Sequence, residues 1–151
     1  MLIRPITKEE RLQSAQLLTI ESGDLTISAA DDAIHCDYTL QIGAEGTDGP
    51  AISITDCDEG LEAAALHVAS GDIRIRASDD CLNAANSDLS GFDFSMDISG
   101  GTISAYTTDG DGFDSNGDLT ISGGTPPEKP DGGTPPERPD NASEPPEPGN
   151  L

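Results

Sequence analysis

The chain is written in short apolar-x-apolar triplets. They are Leu25-Thr26-Ile27, Leu40-Gln41-Ile42, Ile52-Ser53-Ile54, Leu66-His67-Val68, Ile73-Arg74-Ile75, Met96-Asp97-Ile98, Ile103-Ser104-Ala105 and Leu119-Thr120-Ile121. Alternation with period two is the signature of short strands with one buried face. Between alternate pairs stands one lone apolar residue, in turn Ile34, Leu61, Leu82 and Phe113. Each unit therefore reads as strand, acidic corner with one inward residue, strand. Four units begin near Leu25, Ile52, Ile73 and Ile103, and glycines such as Gly23, Gly43, Gly71 and Gly101 mark the turns.

The units repeat in wording as well as in pattern. Gly23-Asp24-Leu25-Thr26-Ile27-Ser28-Ala29-Ala30-Asp31-Asp32 returns as Gly71-Asp72-Ile73-Arg74-Ile75-Arg76-Ala77-Ser78-Asp79-Asp80, with looser copies around Ile52 and Ile103. An acidic landmark falls at Asp32, Glu59, Asp80 and Asp111, separations of 27, 21 and 31 residues. Self-similarity at this period marks a solenoid, whose stacked units each bury a narrow apolar strip. The predicted fold is all-β: a right-handed parallel β-helix of about four coils, with handedness taken from the general rule for parallel crossovers. Ala44 to Pro50 and Ala84 to Gly91 are small and polar, and absorb the variation in coil length as loops.

The flanks read differently. Thr7 to Leu18 is predicted as a short helix, with Thr7 as N-cap, Glu10 completing a capping box and an apolar stripe of Leu12, Ala15 and Leu18. Residues 1–22 thus form a helical cap over the first coil edge, and residues 23–124 the β-helix domain. Residues 125–151 form a disordered Pro-, Gly- and Glu-rich tail. Within it Thr125-Pro126-Pro127-Glu128-Lys129-Pro130-Asp131 recurs as Thr134-Pro135-Pro136-Glu137-Arg138-Pro139-Asp140, too rich in proline for a sheet ladder.

Composition narrows the partners. Seven Lys and Arg against 29 Asp and Glu leave a net charge of −22. That repels a nucleic-acid backbone and an anionic membrane surface, and attracts cations. The N-terminal stretch from Met1 to Lys8 lacks the apolar core of a signal peptide, and no run reaches transmembrane length. Cys36, Cys57 and Cys81 include no C-x-x-C pair and fit neither a zinc site nor a closed disulfide framework, so they read as small buried residues.

The acidic corners carry the candidate chemistry. Stacked coils lie about 4.8 Å apart, so Asp31-Asp32, Asp58-Glu59, Asp79-Asp80 and Asp109/Asp111 should fall into columns; these residues and Asp114 are the candidate metal ligands. Like carboxylates that close raise one another's pKa or share a cation. Calcium, with six to eight oxygen ligands, suits such a column. The competing reading is that one Asp of each pair only hydrogen-bonds its own turn. No single loop has EF-hand spacing: Phe113 occupies the fifth position counted from Asp109, and Leu119 replaces the glycine counted from Asp114.

The words Ser28 to His35, Glu59-Gly60-Leu61-Glu62, Ala77 to Ala84 and Gly110 to Gly117, ending in order on His35, Glu62, Asn83 and Asp114, resemble the repeats of bacterial carbohydrate-binding domain-containing proteins. The chain looks like a truncated copy, with Cys81 where these repeats carry Gly. The resemblance implies a calcium-binding, cellulose- or pectin-binding right-handed β-helix, extracellular or on the cell surface. It implies a plant cell-wall type polysaccharide as partner, bound by a monomer or by part of a larger chain.

Outward strand residues would then meet the glycan: a row of Thr26, Ser53, Arg74 and Ser104, and a row of Gln41, His67, Asp97 and Thr120. Gln41, His67, Arg74 and Arg76 are the candidate binding residues. Aromatics make up only 3% of the chain, so no stacking platform for sugar rings is visible. A lyase is the enzymatic alternative, but both lysines, Lys8 and Lys129, lie outside the coils, leaving Arg74 and Arg76 as the basic groups. A hydrolase needs two carboxylates at a defined separation, and a structural spacer would need no ligand at all. The favoured reading is non-catalytic.

Overall fold

A computed structural model describes residues 12–14 and 16–125. Among them there is no helix, and twelve strands follow in order: β1 (Leu12–Ser14), β2 (Leu17–Ile20), β3 (Asp24–Ser28), β4 (Ile34–Ile42), β5 (Ala51–Asp56), β6 (Leu61–Val68), β7 (Asp72–Ala77), β8 (Leu82–Ala84), β9 (Ser95–Ile98), β10 (Thr102–Thr107), β11 (Phe113–Ser115) and β12 (Asp118–Ile121). All pairings are parallel and join strands of successive coils, as in a β-solenoid of about four turns.

One sheet runs β10-β7-β5-β3, and its register places Leu25, Ile52, Ile73 and Ile103 on successive rungs. These are the four coil starts expected from the triplets. The second sheet carries two further ladders. The lone apolar residues Ile34, Leu61, Leu82 and Phe113 stack in one, and Leu40, Leu66, Met96 and Leu119 in the other. Each inner coil therefore sends apolar side chains from every ladder into a shared core, with Ile34, Leu40, Leu61, Leu66, Ile73 and Leu82 fully buried. On the last coil Ile103 and Phe113 are half-buried, while Leu119 and Ile121 are exposed.

The expected helix from Thr7 to Leu18 is corrected where it can be seen. Leu12–Ser14 and Leu17–Ile20 are strands paired with β4, Leu12 against Ile34 and Leu18 against Leu40. A stripe of Leu12 and Leu18 serves a strand as well as a helix, and β4 offers a row of backbone donors and acceptors that must be paired or covered. Tertiary pairing thus overrides the capping signal. The rest of the expected helix, and the expected disordered tail beyond Thr125, lie outside the described residues.

Both predicted loops fall between strands. The first is tied down at Ser70, whose Oγ accepts from the Ala44 N–H at 3.1 Å and lies 3.0 Å from Thr47 Oγ1. The second reaches two coils back, where Asn86 Nδ2 donates to the Asp37 carbonyl at 2.9 Å. It meets a bulge: Cys36 pairs with Ala63 and Thr39 with Ala65, so Asp37 and Tyr38 stand against the single residue Ala64. Bulges re-aim side chains, and here Tyr38 turns outward from the position that alternation would bury. Gly60 sits where two coils approach closely, since a Cβ there would meet the Cys81 carbonyl and Ile75. The three cysteines are free and buried, as expected, and burial pushes the Cys57 thiol up to about 12.

Candidate metal and glycan site

The acidic corners stack. The Asp58 N–H donates to the Asp31 carbonyl at 3.2 Å and the Asp79 N–H to the Asp58 carbonyl at 3.0 Å. Beside them Ala33 donates to Glu59, Gly60 to Asp80 and Cys81 to Asp111, which puts Asp32, Glu59, Asp80 and Asp111 on successive rungs. Asp109 is displaced by a residue and donates instead to the Ser78 carbonyl.

Charge repulsion is visible at the middle of this corner. Asp79 is held above the usual carboxylate range chiefly by Asp80, with slight desolvation and then the charges of Asp58, Asp109 and Asp111 adding to it. Several of these carboxylates also serve local bonds. Asp80 Oδ1 accepts from the Asp111 N–H at 2.7 Å, and Asp58 Oδ1 from the Ser78 hydroxyl at 2.6 Å. Carboxylate oxygens are the ligands calcium takes, but no three of Asp58, Asp79, Asp80, Asp109 and Asp111 bring their ligand atoms within 4.8 Å of one another.

A second file runs inside the first. His35, Glu62, Asn83 and Asp114 occupy successive rungs of the Ile34 ladder, each one residue after its apolar neighbour. His35 Nδ1 lies 2.8 Å from Glu62 Oε2 and 3.2 Å from Asp32 Oδ2, while Nε2 lies 2.9 Å from Asp37 Oδ1. Burial alone would lower the His35 pKa, but hydrogen bonds to Asp37 and Glu62 and the charges of Glu62 and Asp32 outweigh it and raise it. Burial also raises Glu62, against the His35 hydrogen bond. Glu59 is pushed up to about 7 by burial, despite the hydrogen bond from Asn83, with Glu62, Asp32 and Asp80 contributing. Asn83 Nδ2 donates to Glu59 Oε2 at 3.1 Å, and its Oδ1 is buried without a partner.

Asp32, His35 and Glu62 form the one group of three side-chain ligands among the described residues whose atoms lie within 4.8 Å of one another. Of the predicted metal residues only Asp32 belongs to it. His35 and Glu62 were missed as ligands, although they repeat the Asp32-to-Glu59 separation three positions later, a spacing legible in the sequence.

The predicted glycan residues fall on two sheets. Thr26, Ser53, Arg74 and Ser104 are rungs of the first. Gln41, His67, Asp97 and Thr120, with Thr19 above them, are rungs of the second. Gln41, His67 and Asp97 line a groove of about 410 Å³ together with Glu21 and Glu45. On the first sheet Arg74 is tied to Asp72 at 2.8 Å, both exposed. The Arg76 guanidinium stands 4.8 Å over the Tyr106 ring, beside Asp56, Ser78 and Thr108. Tyr38, Phe92 and Phe94 also converge, with ring centroids 6.1 and 5.5 Å apart in edge-on pairs. Scattered in sequence, they are gathered by the loop that crosses to the bulge.

No protein-family model, curated protein or solved structure matches the chain, so the resemblance to carbohydrate-binding repeats rests on the repeat words alone. Among the described residues no helix is long and apolar enough to cross a membrane.

Proposed function

We propose that this chain is a non-catalytic, calcium-supported polysaccharide-binding module, built as a right-handed β-helix and working outside the cell or at its surface. The carrying observation is the in-register row Gln41, His67, Asp97 and Thr120, the first three of which line a groove. A straight ladder of polar side chains at strand spacing offers regular hydrogen-bond partners to an extended chain of sugars. Calcium at Asp58, Asp79, Asp80, Asp109 and Asp111 would brace the coils and lower a charge that otherwise repels acidic glycans.

The test is affinity electrophoresis of the purified chain through gels containing polygalacturonate or a neutral β-glucan, with calcium or with EDTA. Retardation by polygalacturonate that needs calcium is the expected result. Migration unchanged in every gel would overturn the proposal and leave the structural spacer in its place.

A further inference from the structure

Metal-ligating histidines usually donate their second ring nitrogen to a carboxylate, which fixes the tautomer and aims the other lone pair at the ion. His35 is arranged in this way. Nε2 lies 2.9 Å from Asp37 Oδ1, and Nδ1 faces Glu62 Oε2 at 2.8 Å and Asp32 Oδ2 at 3.2 Å. Without an ion, a proton on Nδ1 bridges the ring to Glu62; a divalent cation would displace that proton and take the nitrogen together with the two carboxylates. Tetrahedral zinc, with bonds of about 2.0 Å, sets its ligand atoms roughly 3.3 Å apart, close to the spacing already present.

Two further features point to an ion here. Asn83, the rung after Glu62, is only 8% exposed, and its Oδ1 has no hydrogen-bond partner. A buried acceptor in the same file is what a metal-bound water would satisfy. The donor set also differs from the calcium corner, because one imidazole with two carboxylates suits borderline first-row cations and not a hard one.

We propose that Asp32, His35 and Glu62 form a binding site for a divalent transition-metal ion of the zinc class, joining the first two complete coils, with Asp37 as the positioning residue behind His35. The site shares no residue with the set Asp58, Asp79, Asp80, Asp109 and Asp111 proposed for calcium, and does not depend on the glycan reading. It clamps Asp32, ahead of β4, to Glu62 on β6, so occupancy would lock one coil to the next.

Zinc chloride is titrated calorimetrically into the metal-stripped full chain, wild type beside His35→Gln, Glu62→Gln and Asp37→Asn, with a parallel calcium titration. The expected result is saturable binding of one zinc per chain. Asp37→Asn should weaken it by roughly 10–100-fold and His35→Gln by more, with the calcium isotherm unchanged. Absence of saturable zinc binding, or wild-type affinity in His35→Gln, would overturn the proposal. Should His35→Gln fail to fold, the imidazole nitrogen resonances of wild-type His35 decide. A zinc-dependent shift of Nδ1 supports the site, and unmoved resonances at zinc saturation overturn it.

Discussion

His35 Nδ1 lies 2.8 Å from Glu62 Oε2 across the junction of two coils. The pair lies where two files of side chains adjoin and burial makes negative charge costly, since Glu59 in one is raised to about 7 and Glu62 in the other is raised as well. Without a cation, the folded chain must either hold protons there or tolerate the repulsion.

The metal-free protein should therefore lose stability as the pH rises. Glu59 binds its proton more tightly folded than unfolded, where its ordinary value is 4.5. Its contribution is full below 4.5 and is lost as the pH climbs towards about 7. His35, also raised when folded, contributes below its ordinary 6.5 and loses that contribution as the pH passes its folded value. In EDTA the thermal midpoint should be higher at about pH 5 than at about pH 8. Glu59→Gln should flatten the slope while keeping an acceptor for Asn83. A midpoint that rises with pH would contradict this assignment.

Calcium should reverse the trend at the outer corner. Binding to the folded state alone raises the midpoint as free calcium rises. Asp79 is fully exposed and raised chiefly by Asp80, so Asp79→Asn removes repulsion without leaving a buried hole. It should raise the midpoint in EDTA and shrink the increment that calcium produces. A variant that lowers both, or leaves the increment intact, would place the ion elsewhere.

How much of this was legible beforehand follows from what each signal depends on. The coil starts Leu25, Ile52, Ile73 and Ile103 and the lone residues Ile34, Leu61, Leu82 and Phe113 stack as the alternation implies, because a period-two pattern leaves one face to bury and so sets register. The strands β1 and β2 were not legible. Their local capping signal is helical, and only the open backbone of β4 makes them extended. The trio was half legible: Asp32 stood out as a repeat landmark, whereas His35 and Glu62 gained meaning only when the ladder set them side by side. The bulge at Asp37 and Tyr38 left no mark in the triplet pattern, yet it supplies the carboxylate behind His35.

The same register makes the inner ladder the stability-determining one. Leu66 is fully buried between Leu40 and Met96. Leu66→Ala should cost about 2–5 kcal/mol in urea unfolding through lost contacts and the cavity left behind. Leu119 occupies the next rung below Met96 but is exposed, so Leu119→Ala should change stability by less than about 1 kcal/mol. Equal effects would mean that the last coil is covered in solution.

Arg74 and Arg76 separate a paired cation from an available one. They share an outward row on β7, but Arg74 is held by Asp72 at 2.8 Å, whereas Arg76 rests on the Tyr106 ring and forms no ion pair among the described residues. Hydrogen bonds to charged groups contribute about 1.5–3 kcal/mol, and an open pocket places Arg76 at the lower end. Arg76→Gln should weaken binding to a uronate-rich polysaccharide by roughly 10-fold. Arg74→Gln, which breaks only an exposed pair, should change it by less than about 5-fold. Affinity electrophoresis at fixed calcium reads both. If the two variants are indistinguishable, the acidic glycan does not lie over β7, and the row of Gln41 and His67 on the other sheet is the face to mutate next.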